Sequence, residues 1–361
     1  MTQELQNIQI DNGASFQDSA NGGSIPVSFG NDATAKAATK EGVSLCDRSH
    51  WGLIQISDDD RLRFLHNQST NNFNNLQPGQ GCETVFVTPT ARTIDLATAY
   101  ATENAVLLLV SPNRCQQLME WFDRYLFPMD RVELKDVSSE YAIFSLIGPE
   151  SSKLLEKLAG TIPPDATHAS HQLINLVDVE VRVAVGSGLA TVGYTLIVAA
   201  SNAGRVWQIL TEAGSIPMGD RLWQQLRIEE GRPAPDYELT DDYNPLEAGL
   251  WNTISFEKGC YIGQETIARL NTYKGIKQRL LGVRLSGMAE LGNVVTIGDE
   301  KVGKLTSCTE TDEGYFGLVY IKTKAGGVGL KVRVGEVEGE VVELPFVSHQ
   351  QDDAETRGRG A

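Results

Sequence analysis

Apolar residues along the chain follow two periods, and the change from one to the other divides it. Residues 1 to about 35 are rich in Asn, Gln, Ser, Gly and Asp with only scattered apolar positions, a composition that predicts a flexible tail. Order is expected from residue 36. Ser57 followed by Asp58, Asp59 and Asp60 reads as an N-cap with a carboxylate at N3, opening a helix through Leu62, Leu65 and His66. Val106 to Val110 reads as a buried strand. Ser111 and Pro112 then start a helix bearing Leu118, Trp121, Phe122 and Tyr125, and Pro128 stops it. A strand from Tyr141 to Ile147 leads through Gly148 and Pro149 into a helix around Leu154, Leu155 and Leu158. Val179 to Val185 and Tyr194 to Ala199 read as paired strands, followed by a helix from Ser201 through Trp207 and Leu210. Asp220 to Glu230 is a helix with Leu222, Trp223, Leu226 and Arg227 on one face, ended by Gly231 and Pro233. Together these predict a mixed sheet with helices on one side. Beyond Arg279 the period shortens. Leu281 to Leu285, Val294 to Ile297, Lys301 to Thr306, Tyr315 to Tyr320 and Val332 to Leu344 are β-type runs between glycine-bearing turns, the pattern of a small β-barrel or sandwich. The segment from His349 onward reads as disordered.

A chain of 361 residues exceeds one ordinary core and predicts two or three domains. The net charge of −16 excludes a general nucleic-acid binder, which needs a basic face for phosphates. Within it lies a positive island: Lys258, Arg269, Lys274, Lys277, Arg279 and Arg284, with Glu265 the one acid between them. Either a small anionic partner or a solvated basic face accounts for that island. Cys46, Cys82, Cys115, Cys260 and Cys308 include no C-x-x-C pair, which argues against structural zinc or a locally bound cluster and for reduced thiols. His168 and His171, three apart but with no third ligand, do not make a metal site. The longest purely apolar run, Ala105 to Val110, cannot span a membrane, and no signal-peptide pattern opens the chain. A cytoplasmic protein is expected, or one of an organelle stroma or matrix where the chain is a processed mature form.

The chemistry concentrates in Lys258-Gly259-Cys260-Tyr261-Ile262-Gly263-Gln264-Glu265. A thiol between a lysine and an expected helix start has two sources of thiolate stabilisation, the ammonium and the unpaired helix N–H groups. Gly259 and Gly263 allow a sharp turn and a close backbone approach. The plainer alternative is a small buried cysteine in a tight loop-to-helix junction.

This octapeptide matches every fixed position of K-G-C-Y-x-G-Q-E, and through it the chain resembles the YgfZ/GcvT family, in its YgfZ branch. Leu45-Cys46-Asp47-Arg48-Ser49 with Gly52, Phe64-Leu65-His66-Asn67-Gln68, Leu226-Arg227-Ile228-Glu229-Glu230-Gly231 and Asn244-Pro245-Leu246-Glu247-Ala248-Gly249 are similar to further family segments, in the family's order. The resemblance covers roughly residues 38 to 345. Two departures matter. Where the aminomethyltransferase branch, the T-protein of glycine cleavage, carries its catalytic carboxylate as the second Asp of G-G-I-x-D-D, this chain reads Ala91-Arg92-Thr93-Ile94-Asp95-Leu96, then Tyr100. Where that branch carries G-Y-T-G-E-D-G-F-E, Ser187 to Thr195 holds no acid. Aminomethyl transfer needs a placed carboxylate.

The resemblance implies an α+β fold, a three-subdomain cloverleaf around a central channel with a C-terminal β-barrel. It places an aminomethyltransferase-like, folate-binding region over 36–275 (two α+β subdomains, possibly interleaved) and the barrel over 276–348, between the flexible tail over 1–35 and the disordered one over 349–361 that composition predicts. It implies tetrahydrofolate or a one-carbon derivative as cofactor and Cys260 as a functional thiol near it. Iron–sulfur client or assembly proteins are the implied partners, radical enzymes that modify RNA among the clients. A pterin's amino-pyrimidinone edge suits a carboxylate, for which Glu229 and Glu247 are candidates. The glutamate tail suits Arg227, Lys258 and Arg269, while Tyr100 and Trp251 suit ring packing. Local ion pairs, turn capping and ordinary core packing are the competing roles for these residues. The alternative activity is aminomethyl or other one-carbon transfer from tetrahydrofolate.

Overall fold

The computed structural model describes residues 2–18, 23–160, 162 and 167–349. The chain divides into two compact units: Met1–Leu65, Phe73–Glu83 and Ala97–Gln224 form one, and His66–Asn72, Thr84–Leu96 and Gln225–Ala361 the other.

In the first unit a six-stranded sheet runs from edge to edge as His171–Leu176, Val179–Val185, Gly193–Ala199, Tyr141–Ile147, Ser44–Asp47 and Ile216–Met218. Only the last pair is parallel. Its core is Leu45, Phe144, Leu146, Val181, Leu196, Val206, Trp207 and Leu210, all close to fully buried. The expected strand over residues 141–147 lies exactly where the apolar run places it, and the expected Tyr194 strand starts one residue earlier. A five-stranded sheet has the order Gly81–Val87, Thr93–Ala101, Ala105–Val110, Gly52–Ser57 and Glu133–Asp136.

The N-terminal segment corrects the tail expectation. Gln3–Asp11 is a helix, Ser15–Asp18 and Ser24–Ser28 form a hairpin, and Asp32–Glu41 is a second helix. Met1 and residues 19–22 lie outside the described residues. Few apolar side chains suffice here because those present are placed well. Leu5 and Phe29 are buried in the core, with Ile8 packed against it. Gln9 donates to Asp47 Oδ2 at 2.8 Å, and Trp207 Nε1 donates to Asn12 Oδ1 at 3.0 Å. The composition hid these long-range bonds.

The second unit contains a closed barrel in the order Gln278–Leu285, Gly314–Lys322, Glu300–Thr311, Val294–Ile297, Lys331–Val334 and Val337–Val342. The mixed α and β content and the closed six-stranded barrel agree with the expected fold class. Val283, Val295, Val302, Leu305, Val319, Val334 and Val341 fill its interior. The expected single run from Val332 to Leu344 is a hairpin, broken at Gly335 in the left-handed region (φ 59°). Residues 350–361, expected to be disordered, lie outside the described residues. Among the described residues no helix is long and apolar enough to cross a membrane.

Candidate functional site

The Lys258-to-Glu265 segment lies wholly in the second unit, and its lysine fixes its conformation. Lys258 is buried, and Nζ donates to the carbonyls of His66, Ser69 and Asn71 at 2.5, 2.7 and 2.6 Å. An ammonium has three protons, and all three are used here. The ammonium also lies 4.7 Å from the centre of the Tyr261 ring. The Ile262 N–H donates to Asn67 O at 3.1 Å. Lysine and amide together clip this loop onto the end of helix Arg61–Gln68, where a cation also complements the free carbonyls. Thr70 adds a second seam, since its Oγ1 donates to Thr253 O at 2.7 Å and its carbonyl accepts the Ser255 N–H at 3.0 Å.

Cys260 is exposed, so the buried-junction alternative does not hold. The two expected sources of thiolate stabilisation are placed differently from the expectation. The ammonium is spent on carbonyls, and the helix begins at Gln264 with Gly263 as its N-cap. Gly263 has φ 83°, and a Cβ there would meet Thr88 O at 2.9 Å, so this turn requires glycine.

The remaining site candidates separate. Arg227 is buried, donating from Nη1 to Glu238 Oε2 and from Nη2 to Ser307 Oγ, each at 3.2 Å. Glu238 is fully buried and also accepts from Ser307 Oγ at 2.6 Å and from the Ala234 N–H at 3.0 Å. This is an internal ion pair joining the helix to the barrel wall. Glu229 accepts from the Gln225 side chain at 2.8 Å, one turn away on the same helix. Glu247 is buried and accepts the Asn244 N–H at 3.3 Å; burial pushes its carboxyl above the usual range. Arg269 is exposed in the last turn of helix Gln264–Thr272. Trp251 is buried, its ring 5.7 Å from that of Phe256. Tyr100 belongs to the first unit, where its ring sits edge-on to His171 at 5.6 Å. Leu96 is fully buried among Val85, Val87 and Leu246.

Three buried polar atoms near the clip have no hydrogen-bond partner among the described residues: His66 Nδ1, Gln68 Oε1 and Trp251 Nε1. Sequence reasoning gave Trp251 a packing role and gave His66 and Gln68 none. The one signal was indirect, two polar residues ending an otherwise apolar-faced helix inside a family-like segment. No group of three or more His, Cys, Asp or Glu among the described residues is arranged to hold a metal ion.

In the first unit, Arg48 lies against the stretch from Ser187 to Thr195, where a Cβ at Gly188 would meet its Nη1 at 2.6 Å. Its guanidinium lies 4.5 Å and 4.7 Å from the ring centres of Trp51 and Trp223, and Nη2 donates to Thr195 Oγ1 at 3.2 Å.

The GCVT N-terminal domain matches residues 5–258. A chloroplastic protein of Arabidopsis thaliana, named a "Putative transferase", is 46% identical over 349 residues, spanning 96% of this chain and 80% of that protein. An aminomethyltransferase of Halothermothrix orenii is 28% identical over 340 residues, spanning 90% and 94%. The crystal structure of the glycine cleavage system aminomethyltransferase T from Bartonella henselae superposes with a TM-score of 0.82 at 18% identity, over 97% of this chain and 99% of that one, a likeness of fold. With the domain matched across most of its length and a relative at 46% identity, this chain belongs to the GCVT family.

Proposed function

We propose that the protein binds tetrahydrofolate or a one-carbon derivative and supports the assembly or repair of iron–sulfur proteins, with Cys260 as its working thiol. One observation carries the reading: the K-G-C-Y-x-G-Q-E segment is intact, with its thiol exposed on a clipped loop, while the transferase acid position is the core residue Leu96. The thiol supplies what one exposed sulfur can, a contact to the folate, a shared ligand to iron, or a redox relay. A single thiolate cannot enclose a cluster. Folate binding is supported by family membership. The Trp251 ring would pack on the cofactor and Arg269 would meet its glutamate tail, whereas Lys258 and Arg227 support the site from beneath. Bound folate supplies a one-carbon carrier. The chloroplastic relative supports an organelle stroma as the setting; the cytoplasm is the other.

The names of the relatives favour a second reading, one-carbon transfer. Asp95, fully buried beside Leu96, is the carboxylate such a reading would use. Neighbouring strand residues point to opposite faces, so Asp95 does not replace an acid at position 96. The test is genetic and chemical. In cells lacking any other copy, Cys260→Ala is expected to lower iron–sulfur enzyme activities to the level of the deletion, and unchanged activities overturn the proposal. Transfer of an aminomethyl or methyl group by the purified protein would establish the second reading.

A further inference from the structure

Two stretches of an acid-rich chain carry no acid at all. Asp and Glu make up 47 of the 361 residues, yet none lies between Glu265 and Glu290 or between Glu313 and Glu336. The second unit brings these stretches together, because strands Gln278–Leu285 and Gly314–Lys322 pair with Gln278 opposite Lys322. Just before that pair, Lys277 O accepts the Thr323 N–H at 2.9 Å and Ile276 O accepts from Thr323 Oγ1 at 3.0 Å. One surface therefore gathers Lys277, Lys322 and Lys324, all exposed. Lys301, also exposed, joins it, since Lys322 Nζ donates to its carbonyl at 2.6 Å. Among the described residues, Glu300 is the one acid paired with these lysines, 3.4 Å from Lys324. Gathered ammonium groups repel one another, a cost that a bound anion offsets.

Lys274, three residues before Lys277, extends the surface by at most about 10 Å, and it does so from a position that favours glycine. Helix Gln264–Thr272 ends in a Schellman motif, in which the Gly275 N–H donates to Leu270 O at 2.9 Å and the Lys274 N–H to Asn271 O at 3.3 Å. The left-handed residue of this motif is Lys274, at φ 48°, with the glycine one place later. Such strain persists where the side chain serves more than the turn. Tyr273 beside it is 78% exposed, an aromatic ring of the kind that anchors protein contacts.

We propose that this lysine surface docks an acidic segment of the protein partner that Cys260 serves. It rests on the functional reading above and adds the partner's chemistry. The helix that follows the thiol loop ends at Tyr273, so loop and surface stand about 15 Å apart along it. Lysines are compact point charges on flexible stems, and they give salt-sensitive, short-lived contacts that suit a turnover of partners. A nucleic acid fits less well. Its phosphates run on past the surface onto a chain of net charge −16, whereas an acidic segment is confined to the lysines.

The experiment is fluorescence anisotropy with three labelled probes: a short Glu/Asp-rich peptide, its Gln/Asn counterpart and a single-stranded RNA of equal charge. Wild type is expected to bind the acidic peptide and neither of the others, and to release it as salt rises from about 50 to about 200 mM. Lys277→Gln combined with Lys322→Gln should weaken the acidic peptide about tenfold, about threefold for each exposed charge. Lys274→Gly should weaken it about threefold while raising Tm, because glycine relieves the left-handed turn. Lys153→Gln, in the first unit, should change nothing. Thermal melts check that the double variant is folded, and Lys274→Gly keeps the test sound where it is not. Equal binding of the neutral peptide, unchanged binding in the variants, or tighter binding of RNA overturns the proposal. Weakened tetrahydrofolate binding in the lysine variants also overturns it, by giving these side chains to the ligand. In cells, the double variant is expected to lower iron–sulfur enzyme activities, and unchanged activities overturn the link to the thiol. Cys260→Ala with no such effect overturns the functional reading alone and leaves the surface with an acidic partner.

Discussion

Replacing Lys258 by methionine keeps the length of the side chain and removes the charge that gathers three carbonyls. Each hydrogen bond to a charged group contributes roughly 1.5–3 kcal/mol, so three would total about 4.5–9 kcal/mol. Burying the ammonium costs several kcal/mol, and methionine removes that cost too. The difference leaves a net loss of about 4 kcal/mol, borne by the clip. The loss is read locally by hydrogen exchange. The Ser255 and Ile262 amides, which donate to Thr70 and Asn67 across the clipped seam, are expected to exchange about a thousandfold faster in Lys258→Met. The Val283 amide, on a barrel strand paired with Gly314–Lys322, is expected to keep its protection. Lys258→Arg should recover only part of the loss, because a planar fork cannot direct its donors as a tetrahedral ammonium does. Unchanged exchange at Ser255 and Ile262, combined with lost folate affinity, would refute the reasoning and return Lys258 to direct contact with the ligand.

Two further outcomes follow from buried charges. Arg227→Met leaves Glu238 buried without its cation and is expected to cost about 3–5 kcal/mol in urea unfolding; full stability with weakened folate binding would instead make Arg227 a ligand residue. His171 is held down to about 4, mainly by burial and then by Arg182, whose Nη1 lies 2.9 Å from its Nδ1. A depressed histidine favours the fold above its unfolded value of about 6.5, and that stability is lost as pH falls towards 4. The loss amounts to at most ~3 kcal/mol, and His171→Gln should flatten this limb of the pH–stability curve. An unchanged limb in the variant would place the acid sensitivity elsewhere.

What was legible in the sequence was whatever a local pattern encodes. The strands over residues 141–147 and 179–185, the helix Asp220–Glu230 and the barrel runs were all visible, because alternation, apolar runs and glycine stops act at short range. The N-terminal helix was not legible. Leu5 and Ile8 make a thin apolar stripe, and the bonds that secure it, Gln9 to Asp47 and Asn12 to Trp207, cross long stretches of chain. In the site, the octapeptide was recognisable, but its lysine was misread. Adjacency to Cys260 suggested an electrostatic role, whereas the side chain reaches back to carbonyls nearly two hundred positions earlier. The ion pair of Arg227 was hidden for the same reason, since its partner Glu238 lies beyond the end of the helix. Side-chain direction in a folded unit is set by tertiary partners, and a single sequence does not display them.

The central claim is that this GCVT-family chain holds a folate with an affinity that does not depend on its exposed thiol. Titration of tetrahydrofolate into wild type and Cys260→Ala tests it most directly. The account predicts saturable binding with the same affinity, within about threefold, in both proteins, because an exposed thiol, a weak donor and acceptor, adds little to affinity even where it touches the ligand. Absence of binding in wild type, or loss of it with the thiol alone, would contradict the account.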